Sequence, residues 1–241
     1  MVDRDRHDEL VREMQRLRGN IYLNDGALTR EQLSGDGLHQ TPEDEASWHF
    51  LFMNPGDRRV SSCMWYREHS NAISVEQLRV WNGPLMRLQD WRGKVVRGIE
   101  SELRRARQEF VHYAEAGGWA VSEQSRCTPE GLMLPLGAYA LSRIFGGGLG
   151  LATATFRHSS ASILRRLGLS PLETDGDSVP PYFDPKYDCQ MELLRFDTRR
   201  PNPKYLGAIE MFMQQLTSVP VIARHPAAVV RPYVTAEEAV A

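Results

Sequence analysis

The sequence predicts an α/β protein: a mixed, twisted central sheet flanked by helices, with a long helical insertion ahead of the central strand. Three observations carry this. Two apolar runs, WAVSEQSR (119–126) and LGLATATF (149–156), are separated by a helix-length segment, as in a parallel pair joined by a crossover helix. SWHFLFM (47–53) and RVSSCMWY (59–66) flank Asn54-Pro55-Gly56-Asp57, the composition of a hairpin turn. Between the hairpin and the parallel pair, Val95, Val96, Ile99, Leu103, Ala106, Phe110 and Tyr113 step by three and four, the spacing of an amphipathic helix.

The remaining elements follow in order. Leu10, Val11, Met14 and Leu17 give residues 5–18 a helical face. Residues 24–45, rich in Gly, Asp, Thr and Pro, read as an extended surface loop, and long loops in compact domains are often functional. A shorter helix over 75–90 breaks near Gly83-Pro84, and the long helix ends at Gly117-Gly118 in the manner of a glycine cap. After the strand 119–126 come a helix over about 130–145, a glycine stop at 146–148 and the strand 149–156. A helix over 159–167 follows, with Ser159 or Ser160 as its N-cap. The strand 189–197 and a helix over 203–217 close the fold. Residues 1–218 therefore read as one domain with a helical insertion at 72–117, and 219–241 as a mobile tail.

Composition narrows the function. A chain of 241 residues has ample core, and its net charge of −2 provides no basic field for nucleic acid or an anionic membrane. The cysteines (Cys63, Cys127 and Cys189) form no CxxC pair, which argues against a disulfide framework or a zinc site. The polar start MVDRDRHDEL is no signal peptide, and no apolar run reaches the length of a membrane span. The expectation is a soluble, cytoplasmic protein without integral membrane contact or a bound metal.

Four stretches resemble the GNAT acyltransferases, and more closely the branch of acyl-homoserine lactone synthases and N-acyl amino acid synthases. Arg18 and Tyr22 follow the first helix as an Arg and an aromatic residue do there. Asp44 and the hairpin ending in Arg67 resemble that branch's acidic loop and its strand ending in Arg. Glu123-Gln124-Ser125-Arg126 matches its E-x-S-R motif, and LGLATATFRHSSASILRRLGLSPL (149–172) looks like its strand–helix unit. Two features depart from it. The segment 72–117 is longer than expected, and TPEGLMLPLG (128–137) offers only Gly131 and Gly137 where a Gly-rich pyrophosphate loop would stand. The resemblance implies a GNAT-like fold and transfer of an acyl group, such as a fatty acyl. The donor is acyl-CoA or an acyl carrier protein, used as co-substrate with no cofactor permanently bound. The acceptor is the amine of an amino acid or a peptide, for example an ornithine or lysine side chain.

Such a transfer must deprotonate an amine of pKa about 10.4, stabilise an oxyanion and neutralise a thiolate. Glu123 can take the proton directly or through water; a carboxylate there can equally be half of a buried ion pair. Alternation along a strand sends Glu123 and Arg126 to opposite faces. Arg126 can orient the site, bind an acceptor carboxylate or form a structural salt bridge. His158, at a strand-to-helix turn, is either a general acid/base or a polar turn residue. Backbone N–H groups near Cys127 and Thr128 are oxyanion candidates, and Thr128, Gly131 and Gly137 with Cys127 are the donor-binding set. A helix starting near Pro129 points its positive end at a phosphate. Cys127 also raises a ping-pong route through an acyl-enzyme, against direct transfer in a ternary complex. Tyr22, Asp44, Trp48, His49 and Arg67 frame the acceptor, with only one of Trp48 and His49 able to face the cleft. Glu192 reads as a cleft carboxylate or an edge-strand charge. Two other functions compete: autoinducer synthesis of the acyl-homoserine lactone type, and a non-catalytic module that binds acyl thioesters.

Overall fold

The computed structural model describes residues 1–69, 73–126, 128–219 and 221–225. The chain opens with α1 (Arg4–Asn24), whose N-cap Asp3 accepts the Arg6 N–H at 3.0 Å. The hairpin β1 (Trp48–Met53) and β2 (Val60–His69) follows, then α2 (Gln89–Gln108), β3 (His112–Val121), α3 (Glu130–Ile144), β4 (Gly148–Thr155) and α4 (Ser160–Leu167). Short strands β5 (Ser170–Pro171), β6 (Glu173–Thr174), β7 (Asp177–Ser178) and β8 (Tyr182–Asp184) lead to β9 (Cys189–Asp197) and α5 (Leu206–Ser218). The main sheet runs β1-β2-β3-β4-β9-β5, with β8 also on β9; β6 and β7 form a separate ribbon.

β3 and β4 are parallel, joined by the crossover α3, and every other pairing in the sheet is antiparallel. This mixed sheet with helices on both faces is the expected architecture. On one face Val95, Ile99 and Leu103 of α2 share a core with Tyr113, Leu149 and Leu193, and beside it Met14 of α1 lies with Cys63 and Ala120. On the other face Leu134, Leu164 and Ile209, from α3, α4 and α5, bury with Tyr66, Ala114 and Leu194. Each Val, Leu, Ile or Met side chain among them contributes about 1.5–3 kcal/mol by leaving water.

Several expectations need correction. The segment read as a helix over 75–90 is three 3₁₀ turns, Val75–Gln77, Arg79–Asn82 and Pro84–Arg87. The Ser74/Gln77 capping box closes the first turn, and Pro84 denies Gly83 the helical conformation. The long helix stops at Gln108, where Phe110 takes a left-handed φ of 53° and the Val111 N–H turns back to the Ala106 carbonyl. Residues 112–117 are therefore strand, and the helical part of the insertion is shorter than predicted. Gly117 and Gly118 cap no helix; they sit at a β-bulge, where the β2–β3 register slips between Cys63↔Ala120 and Trp65↔Gly117. The Trp65 ring occupies the space of their missing side chains, 2.6 Å from a Cβ at 117 and 2.3 Å from one at 118.

The central strand ends at Val121, and Glu123–Ser125 form a 3₁₀ turn, so strand alternation does not govern Glu123 and Arg126. Ser159 does precede α4, but with φ 60° and no capping bond from its side chain. The tail expectation falls mainly outside the described residues; within them, Ala223 bridges to Val2.

The feature that positions a site is where β3 and β4 separate. Their pairing runs from His112↔Gly148 to Ala116↔Ala152 and stops. Beyond it, β3 continues to Val121 beside β2, and β4 to Thr155 beside β9. A wedge opens at the carboxyl ends of two parallel strands, the position at which sheets of this kind take ligands.

Candidate active site

Below the wedge, between the sheet and the α3–α4 layer, lies a small, partly open apolar pocket of about 20 Å³, lined by residues that include Met64, Ala116, Ala138, Ala152 and Leu164. Alanines at 116 and 152, the last paired positions of β3 and β4, leave that space open.

Above the wedge, the turns after the two strands meet one carboxylate. Asp25, the C-cap of α1, lies 3.5 Å from Arg126 Nη2 and 3.2 Å from His158 Nε2. Arg157 donates to the Asp25 carbonyl and, at 3.0 Å, to that of Asp188 in the β8–β9 turn. The turn at His158 and Ser159 is left-handed at both residues, φ 58° and 60°. Such conformations cost about 1–3 kcal/mol each and persist where surrounding contacts over-determine them. Thus Arg126 and His158 come together through Asp25, a residue the sequence reading did not single out. Glu123 is exposed on the turn that carries Arg126. Cys127 lies outside the described residues.

The start of α3 differs from expectation. Pro129 is its N-cap, and the Thr128 hydroxyl accepts the Glu130 N–H at 3.3 Å while donating to the Ser125 carbonyl at 2.7 Å. Glu130 places its own carboxylate on the first turn, where the Ser61 and Ser62 hydroxyls donate to it at 3.1 and 3.2 Å. The helix end is already matched by a negative charge. Gly131 belongs to that turn. Gly137 is buried two turns further on, where an added Cβ would lie 3.2 Å from Phe50. Gly137 thus serves helix-to-sheet packing and is removed from any phosphate loop.

On the α1 side of β3, Tyr22 donates to the Trp119 carbonyl at 3.4 Å and packs edge-on against His39 and Tyr187. Burial raises its phenol above the ordinary range. Arg79 pairs with Glu43 at 2.7 Å, its guanidinium 5.7 Å from the Trp65 ring centroid. Tyr22, His39, Arg79 and Tyr187 form a polar cluster, of which only Tyr22 was anticipated. His39 is pushed down to about 4, by burial first and then by Arg18, whose Nε–H it accepts at 3.1 Å, so it is neutral at pH 7.

Asp44 is a structural anchor. Arg18 donates to its two oxygens at 2.8 and 2.7 Å, Gln15 and the Thr41 backbone add bonds at 3.0 Å, and both Arg18 and Asp44 are buried. No acceptor lone pair is left for a substrate. Trp48 faces the α3 layer, 5.6 Å from Phe145, and His49 holds the Asp44 carbonyl at 2.9 Å. Each therefore has a partner within the fold, which differs from the expected split between core and cleft. Arg67 is half-buried, its Cα paired with Glu115, and it makes no ion pair with a described residue. Glu192 is no edge charge: β9 lies between β4 and the β5/β8 edge, and its carboxylate is buried against Arg165.

No protein-family model and no curated protein matches the chain. Solved structures do. The CoA-dependent acyl-homoserine lactone synthase BjaI, determined with SAM and isopentyl-CoA, superimposes with a TM-score of 0.58 at 13% identity, covering 99% of this chain and 95% of its own. The fold is GNAT-like. The acyl-homoserine lactone synthase LasI shares this GNAT-like fold at a TM-score of 0.50 and 14% identity, over 79% of this chain and 84% of its own. So does arylalkylamine N-acetyltransferase 7 of the yellow fever mosquito, at 0.50 and 13%, over 81% and 85%. At these identities the likeness is one of fold, and chemistry has to be argued from the residues. No helix among the described residues is long and apolar enough to cross a membrane.

Proposed function

We propose that the chain is an N-acyltransferase that moves an acyl group from a CoA thioester to the amine of an amino acid or a peptide side chain. The observation that carries this reading is the separation of β3 and β4 beside an apolar pocket. The acyl chain enters along this pocket, whose apolar lining has to part to admit it, and this brings the thioester carbon to the wedge. There the β3 backbone past Ala116 has no sheet partner on its β4 side, so an N–H that points away from β2 can face an oxyanion. The acceptor approaches past the polar cluster of Tyr22, His39, Arg79 and Tyr187. Glu123 takes the ammonium proton through water, Arg126 balances the donor's negative charge, and His158 returns a proton to the departing sulfur. The BjaI likeness supports CoA over a carrier protein as donor, because that enzyme is named CoA-dependent.

The test is incubation of the purified chain with a ladder of acyl-CoA thioesters and a panel of amines that includes S-adenosylmethionine, following free thiol and product mass. Thioester loss without an acylated amine counts against the reading, and acyl mass on the protein itself moves the chemistry to Cys127. A lactone product from S-adenosylmethionine identifies an autoinducer synthase. Glu123→Gln is expected to lower kcat about 100-fold while leaving donor affinity in place. Tight donor binding with no turnover in the unaltered protein identifies a binding module instead.

A further inference from the structure

We infer that Asp25 is a positioning residue of the reaction, holding His158 as the general acid that protonates the departing thiolate; this rests on the reading of the chain as an N-acyltransferase. Asp25 ends α1, yet it meets side chains from the turns that follow both strands bordering the wedge: Arg126 after β3 and His158 after β4. The His158 turn is held in consecutive left-handed conformations by bonds made by its neighbours. Arg157 reaches the Asp25 and Asp188 carbonyls, and Thr155 Oγ1 donates to the Arg157 carbonyl at 2.8 Å. A polar turn residue with no task does not require that many restraints. With Nε2 3.2 Å from Asp25 Oδ2, the imidazole presents Nδ1 on its opposite edge.

The proton balance follows. The acceptor ammonium loses one proton to Glu123 and solvent, and nitrogen then attacks the thioester carbon. As the C–N bond forms and the C–S bond breaks, the nitrogen releases a second proton to solvent. The thiolate takes a proton from Nδ1 of the imidazolium, and solvent reprotonates the ring. Asp25 keeps its charge throughout, stabilising the imidazolium that donates.

The charged groups around His158 are Asp25 on α1, Arg126 after β3 and Arg157 in its own turn. The experiment is the pH profile of kcat/KM with acyl-CoA for the unaltered protein and for D25N, R126Q and H158Q. An acid that must be protonated gives an alkaline limb. D25N removes the carboxylate that holds the ring and should lower kcat about 10-fold with KM for acyl-CoA unchanged, whereas R126Q leaves the ring in place and should keep the limb. H158Q should abolish the limb and lower kcat about 100-fold. A kcat unchanged in D25N, a limb lost in R126Q, or a limb still present in H158Q overturns the inference while the acyltransferase reading stands. Absence of any amine acylation by the unaltered protein removes both. If D25N does not fold, D25E retains the carboxylate and should keep kcat within a few-fold of the unaltered protein, and a loss of about 10-fold in D25E overturns the inference as well.

Discussion

Asp44→Ala is expected to destabilise the fold by about 3–5 kcal/mol. The replaced carboxylate accepts two guanidinium bonds from Arg18, and Arg18 is only 1% exposed. Without Asp44 the guanidinium retains the His39 ring nitrogen and carbonyl as acceptors but no counter-charge, and it cannot reach water without opening the α1 packing. The loss should appear as a lower denaturation midpoint with an unchanged m-value. The same pair sets a pH dependence. Burial alone would raise the Asp44 carboxyl, but the hydrogen bonds and charge of Arg18 hold it below the ordinary range. Its folded pKa is thus depressed, so the pair's contribution is complete above the unfolded value of about 3.9 and is lost as pH falls through the folded value. In Asp44→Ala that acid-side loss should shrink.

Gly118→Ala is the second large effect. Gly118 has φ +64°, and a Cβ there would lie 2.3 Å from Trp65 Cδ1, in a ring that is itself buried. The left-handed backbone and the overpacking together should cost roughly 3 kcal/mol. Gly26→Ala separates the two terms, because Gly26 has φ +73° with no atom within 4 Å of an added Cβ. It should show the conformational cost alone, about 1 kcal/mol. Equal losses at the two positions would mean that Trp65 yields freely and that the bulge does not depend on it.

Where hydrophobic period and turn chemistry agree, the sequence specifies the structure: the β1–β2 hairpin, the β4–α4 unit and β9 lie within a few residues of expectation, while α1 runs six residues past its expected end. The error over 109–126 has one cause. Ala106, Phe110 and Tyr113 continue the helical step past the true end at Gln108, and Gly117-Gly118 then imitates a cap. The signal that ends α2 is a left-handed Phe110, which no glycine announces, and the glycines are present because Trp65, fifty residues earlier in the chain, needs the room. The site follows the same logic. Arg126 and His158 were legible from a motif and a turn, but their shared carboxylate was one acidic residue in an Asp- and Gly-rich loop. Nothing local distinguishes Asp25 from Asp36 or Asp57, because only the folded sheet brings it to the wedge.

The Asp25 contacts also bear on how the molecule is assembled in time. They join residues 101 positions apart to Arg126 and 132 apart to Arg157. Closing such spans costs chain entropy that local elements do not incur, and high contact order slows folding. The hairpin and the β4–α4 unit draw on nearby residues, whereas the junction at Asp25 needs α1 against the sheet. A chain in which α1 is undocked therefore lacks the carboxylate that joins the Arg126 and His158 turns.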